Sequence, residues 1–188
     1  MSVNTKEYPG LKLLKDNWEK IRDEIGNNFK NFVDNSEIYT QSDYQSEGWY
    51  SRVIISSNNI LENNAKKYPL IVDLYNKLDV PNKQSIGITI LKKNGFITPH
   101  KDPEQAYRYH LCLQAEKDKS LFRTYDTSFS EEFLNPGEDK ILDTGTIHSS
   151  KNRSLDVDRI DLVVDFLKDK SMVENYQEIF GYGDEWNN

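Results

Sequence analysis

The sequence has a single cysteine, Cys112, among 188 residues. An intrachain disulfide is therefore excluded, and the lone thiol fits a reducing compartment. Histidine is almost as scarce: His100, His110 and His148 are the whole supply, which leaves few metal-binding or acid–base combinations. No apolar run approaches the length of a membrane span. The opening Met1-Ser2-Val3-Asn4-Thr5-Lys6-Glu7 is polar and lacks the apolar block of a signal peptide. Together these absences predict a complete, cytoplasmic chain with no membrane partner. Basic charge is short too, with 24 Lys and Arg against 31 Asp and Glu and a net charge of -7. That balance argues against a broad phosphate-binding surface and hence against nucleic acid as a partner. Internal repeats, long linkers and low-complexity tracts are absent.

What is present suits a globular core. Hydrophobic residues make up 36% and charged residues 29%, with eleven Tyr and eight Phe. The length predicts one domain over 1–188. Leu11, Leu14, Trp18, Ile21, Ile25, Phe29 and Phe32 recur at helical spacing, which predicts an amphipathic helix over 11–32. Ile38–Thr40 and Trp49–Ser56 read as extended, being rich in β-branched residues. A second helix is predicted over 69–78, opened by Pro69 and carrying Leu70, Ile71, Leu74 and Leu78.

From Ser85 the pattern changes. Ile86, Ile88 and Ile90 alternate with smaller residues as in a strand, and Asn94-Gly95 is a tight-turn signal. Short strand-like runs follow at 96–98, 107–115, 120–126, 140–142, 145–150 and 159–167, with a turn at Pro136-Gly137. Many short strands separated by turns predict a jelly roll or barrel. A closing helix is expected over 171–180. The expected organisation is helices and first strands over 1–80, a β core over 81–168 and a tail over 169–188, with the helices covering one outer face of the sheet.

All three histidines fall in the β-rich half. His100 and Asp102 are two residues apart, and in an extended segment such residues point to the same side. One imidazole and one carboxylate can therefore meet one ion. A second imidazole, with His148 the candidate, would complete the two-histidine, one-carboxylate set typical of non-haem Fe(II) oxygenases. Without that partner, a His-x-Asp pair is as readily a surface loop. Arg159 opens the strand Arg159–Phe166 beside the His148 segment, where its planar fork would suit a dicarboxylic co-substrate; strand-end arginines also serve as half-exposed ion-pair partners. Asp161, on the same strand face, reads as its neutralising partner. In Tyr107–Gln114, Arg108, His110 and Cys112 share one face and Tyr109, Leu111 and Leu113 the other. Either the polar face meets solvent, or the apolar face packs under the helices and Arg108 and His110 point inward.

With these residues in place, Leu91–Phe166 resembles the aspartyl/asparaginyl β-hydroxylase branch of the Fe(II)/2-oxoglutarate-dependent dioxygenases. Leu91–Asp102 is similar to the family's strand-turn-strand that delivers the first histidine. Arg108-Tyr109-His110-Leu111 resembles its arginine-x-histidine strand. Pro136-Gly137-Glu138 with Asp143, Gly145 and His148 resembles the approach to its second metal histidine, and Arg159 with Leu162, Val163 and Asp165 its arginine strand. The resemblance implies a mainly β fold with flanking helices, built on a double-stranded β-helix core (jelly roll, cupin-like). It implies Fe(II) on His100, Asp102 and His148, with 2-oxoglutarate and O2 as co-substrates. Arg159 would then pair with the far carboxylate of 2-oxoglutarate, assisted by Arg108 and His110. The substrate is expected to be a small molecule or peptide, with Trp49, Arg52 and Arg123 as candidate contacts to a carboxylate-bearing group. The rival readings are a metal-binding cupin that does not use 2-oxoglutarate and a non-catalytic relative.

Overall fold

The computed structural model describes residues 4–26, 32–34, 45–102, 104–125 and 128–169. Two 3-10 turns, Thr5–Glu7 and Pro9–Leu11, lead into α1 (Lys12–Lys15) and α2 (Trp18–Gly26). One continuous helix was expected here, and the structure breaks it at Asp16-Asn17. The reason is local. The Asn17 amide Nδ2 donates to the Leu13 carbonyl at 2.9 Å, so a side chain competes for a helix acceptor. Nor does a helix reach Phe32, which directly precedes β1 (Val33–Asp34). The expected strand at 38–40 and the closing helix at 171–180 lie outside the described residues.

The sheet strands that follow are β2 (Ser46–Ser56), β3 (Asn59–Ile60), β4 (Lys83–His100), β5 (Ala106–Gln114), β6 (Ser120–Tyr125), β7 (Phe129–Phe133), β8 (Asp139–Asp143), β9 (His148–Asn152) and β10 (Arg159–Leu167). Between β3 and β4 lie α3 (Glu62–Ala65) and α4 (Pro69–Lys77), the latter with Pro69 in its first turn as the sequence predicts. The Glu24 carboxylate of α2 accepts from the Leu70 and Ile71 amides at 2.8 and 3.2 Å, satisfying donors at the start of α4.

Strand pairing is antiparallel throughout, in the order β7-β6-β9-β4-β10-β5-β8, with β2 also on β4. The long strand β4 organises the fold. Its first half, Lys83 to Leu91, pairs with β10, while Phe96 to His100 pairs with β9. The ribbon therefore folds over along β4 into two facing layers, β2-β4-β10-β5-β8 and β4-β9-β6-β7. This is the double-stranded β-helix that the resemblance implies. Asn94-Gly95 is not the hairpin turn expected of it. Asn94 takes a positive φ of 56° and its amide donates to the Ser154 carbonyl at 2.9 Å, so the pair makes the corner at which one strand passes from layer to layer.

Alternation then decides what each layer buries. Ile86, Ile88, Ile90, Tyr109, Leu111, Leu113, Ile160, Leu162, Val164 and Phe166 face the helices, where Leu14, Ile21, Ile25, Ile71 and Leu74 complete a buried core. The apolar face of β5 thus packs under the helices, and Arg108, His110 and Cys112 turn to the space between the layers. A turn at Pro136-Gly137 sets β8 in place. Gly137 has φ +82°, and a Cβ there would meet the Trp18 ring at 3.1 Å. Among the described residues, no helix is long and apolar enough to cross a membrane.

Leu162 is wholly buried at the centre of β10. Leu162→Ala is expected to cost about 2–5 kcal/mol of unfolding free energy, read as a lower urea midpoint at unchanged m-value.

Candidate metal centre

His100 ends β4 and His148 opens β9, and the two stand opposite each other in the ladder. Their ring centroids are 4.3 Å apart. Asp102 follows β4 by two residues and is held by its amide, which donates to the Thr144 carbonyl at 3.0 Å. Its carboxylate lies between the imidazoles: Oδ1 is 3.6 Å from His100 Nε2 and Oδ2 is 3.8 Å from His148 Nε2. One potential ligand atom from each of the three residues falls within 4.8 Å of the others.

The imidazoles are oriented alike. His100 Nδ1 lies 2.8 Å from the Thr98 carbonyl and His148 Nδ1 2.8 Å from the Thr146 carbonyl. A carbonyl only accepts, so each Nδ1 carries the proton and each Nε2 lone pair faces the shared point. Burial holds the His148 pKa down to about 4, against the opposing pull of Asp102. Burial alone would push the Asp102 carboxyl up, but Arg108, His148, His100 and His110 together hold it below its usual range. The donor set is thus two imidazole Nε2 atoms, with His148 neutral at neutral pH, and one carboxylate. That donor set fits a divalent transition metal with positions left open.

Arg108 lies beside this cluster, with one terminal nitrogen 2.7 Å from Asp102 Oδ2. Its Nε is 2.7 Å from Asp165 Oδ1, and its other terminal nitrogen donates to Asp165 Oδ2 at 3.2 Å. Arg159 sits deeper, 3% exposed. It forms a side-on pair with Asp161, bonds the Ser150 hydroxyl, and lies over the Phe122 ring at 3.9 Å. Ser150 is two residues from His148 on the same face of β9, so Arg159 and the cluster share the space between the layers. His110 Nδ1 reaches Asp161 Oδ2 at 3.3 Å, and the ring packs edge-on against Phe122. Burial lowers the His110 pKa despite Asp161. Asp161 is the neutralising partner expected of it, and Arg159 and His110 keep it ionised against the effect of burial. Cys112 is buried and its thiol pKa is raised by that burial, so it is chemically quiet.

The candidate substrate residues separate. Trp49 is opposite Leu91 on the inward face, and its indole donates to Thr89 Oγ1 at 2.8 Å. Arg52 is on the other face, buried under the helices, where it bonds Asn64 and sits over Phe32 at 5.6 Å. Arg123 points outward and pairs with Glu131 at 2.7 Å. Neither arginine is brought to the cluster. Sequence reasoning missed the inward Lys140, which pairs with Glu132 where the two layers' outer strands meet, and it gave no role to Asp165 or Ser150. The period-two pattern of β10, with Arg159, Asp161 and Asp165 on one face, is the signal that would have turned Asp165 inward beside Arg108. A cleft of about 390 Å³ is lined by Thr124, Ser130, Lys140, Leu142, Asp143 and Thr146 among others, and of these Thr124 stands opposite His148 in the ladder.

A double-stranded β-helix with two histidines and an aspartate converging at one end has the layout of a metal-dependent cupin-type enzyme. Residues 15–169 match the family model described as aspartyl/asparaginyl beta-hydroxylase, and the chain belongs to that family. The match makes a hydroxylase the functional class. No curated protein matches the chain. Among solved structures, it is similar to a predicted oxalate decarboxylase from Thermotoga maritima, at 14% identity and TM-score 0.45, over 73% of this chain and 90% of that one. An oxalate oxidase in complex with glycolate is similar at 13% identity and TM-score 0.44, over 69% and 55% of the two chains. KdgF from Halomonas sp. follows at 14% identity and TM-score 0.40, over 78% and 94%. Likeness at these values carries nothing about activity.

The His148 pKa makes a prediction. In the unfolded chain this group titrates near 6.5, in the folded one near 4. A depressed folded pKa means that its stabilising effect is fully present above about 6.5 and is lost as pH falls through about 4. Metal-free protein should lose stability across that window, and His148→Asn should flatten the loss. Urea titrations at stepped pH measure both; identical pH profiles would refute the assignment.

Proposed function

We propose that this chain is an Fe(II)- and 2-oxoglutarate-dependent dioxygenase that hydroxylates an amino acid, a peptide side chain or another small carboxylate-bearing substrate. The observation that carries the reading is the convergence of His100, Asp102 and His148 on one point, with Arg159 deeper in the same space. When bound, the iron and its co-substrates would supply the oxidation: O2 is consumed, 2-oxoglutarate loses CO2 to become succinate, and a substrate C–H bond becomes C–OH.

The chain's own residues do the rest. His100, Asp102 and His148 would hold the metal, with both Nδ1–H groups tied to carbonyls so that Nε2 cannot turn away. Arg159 has donors beyond those directed at Asp161 and Ser150, and they would receive the far carboxylate of 2-oxoglutarate. His110 steadies Asp161, and Phe122 backs the guanidinium and keeps water from it. On the substrate side Trp49 offers an inward aromatic surface. Lys140 and Arg108 are the inward cations near the cleft to which a substrate carboxylate would turn, in place of Arg52 and Arg123.

One observation favours a second reading. Arg159 is already charge-matched by Asp161, as it would be in a metal-binding cupin that has no use for 2-oxoglutarate. A single experiment separates the two. Fe(II) and 2-oxoglutarate are added anaerobically and the visible spectrum is recorded. A weak charge-transfer band is expected, absent in His148→Ala. Arg159→Ala is expected to keep its metal while needing about 10–100-fold more 2-oxoglutarate, the worth of a charged hydrogen bond. An unchanged 2-oxoglutarate requirement in that variant favours the second reading and ends the first.

A further inference from the structure

Ser85, Asp165 and Arg108 form one row across β4, β10 and β5, each opposite the next in the ladder. Asp165 is 1% exposed. Its Oδ2 accepts from the Ser85 hydroxyl at 3.1 Å, and both its oxygens face the side-on edge of the Arg108 guanidinium. The remaining terminal nitrogen of Arg108 reaches Asp102 Oδ2 at 2.7 Å. A chain of hydrogen bonds therefore runs from the core of the larger layer to the carboxylate between the two imidazoles.

We propose that Asp165, seated by Ser85, is a positioning residue of the metal centre: it fixes Arg108, and Arg108 fixes the rotation and effective charge of Asp102. The proposal rests on the reading of His100, Asp102 and His148 as metal ligands. Two physical effects act in the same direction. A guanidinium is planar, and with its side-on edge clamped by Asp165 its other terminal nitrogen can meet Asp102 in one orientation only. Asp165 also balances the arginine's charge. Without that balance the cation would draw more strongly on Asp102 and compete with a metal for the same electrons. Outer partners of this kind weaken metal binding by about 10–100-fold when removed.

The test is a double-mutant cycle on the full chain, with Co(II) as probe and its visible absorption as readout beside thermal unfolding. Asp165→Asn is expected to raise the Co(II) dissociation constant about tenfold. Ser85→Ala, which leaves the carboxylate in place, should raise it by about threefold. In an Arg108→Met background, where no guanidinium remains to be held, Asp165→Asn should have no further effect on Co(II) binding. An equal loss in both backgrounds would show a purely structural role and overturn the proposal, as would no loss in either. If Asp165→Asn does not fold, Ser85→Ala carries the same cycle. Asp102→Ala separates the two levels of the argument. Unchanged Co(II) affinity in that variant removes the metal assignment and the proposal with it. A weakened Asp102→Ala beside an unaffected Asp165→Asn removes only the positioning role.

Discussion

Charge buried between two layers must be matched, and the inner face of this sandwich is arranged around that requirement. Arg108 stands between Asp102 and Asp165, Arg159 against Asp161, and Lys140 against Glu132. The Arg108 and Lys140 pairs link elements that neighbour or face one another across the fold, while Arg159 and Asp161 pair along one strand. The same pairing that makes burial tolerable also aims the side chains. An arginine left uncompensated between the layers would bear the full cost of losing its water. A compensated one can lie flat over Phe122 and present its remaining donors to a ligand.

The outer face obeys a different rule. It is apolar along β4, β5 and β10, and it is covered by α2 and α4. Removing this surface from water provides the main driving force for folding. It therefore sets the alternation that turns Arg108, His110, Asp161 and Asp165 inward. The chemistry is placed by the core, and the polar pairs settle its details.

Much of this was legible in residue patterns. His100-x-Asp102, His148 and Arg159 could be named because strand period two puts i and i+2 on one side and because three histidines allow few choices. The family match over 15–169 agrees with the branch suggested by Leu91–Phe166. What stayed hidden depends on pairing between distant segments. Asn94-Gly95 carries the composition of a hairpin, yet the strand runs on because Ser154 supplies its acceptor from elsewhere. Arg52 and Arg123 read as candidate contacts to a substrate carboxylate until register assigns their faces. Asn17 interrupts a helix whose apolar spacing is otherwise sound, through a hydrogen bond that periodicity does not register.

The corner in β4 separates two kinds of failure. Upstream of it lie Ile86, Ile88 and Ile90, which belong to the core; downstream lies His100, which belongs to the metal cluster. Loss or gain of one residue at the corner would leave the upstream half in register and turn the downstream half over, carrying His100 to the outside. The product would be a soundly folded scaffold blind to metal. This short stretch is thus where a lineage could shed its chemistry in one step and keep the body intact for other uses.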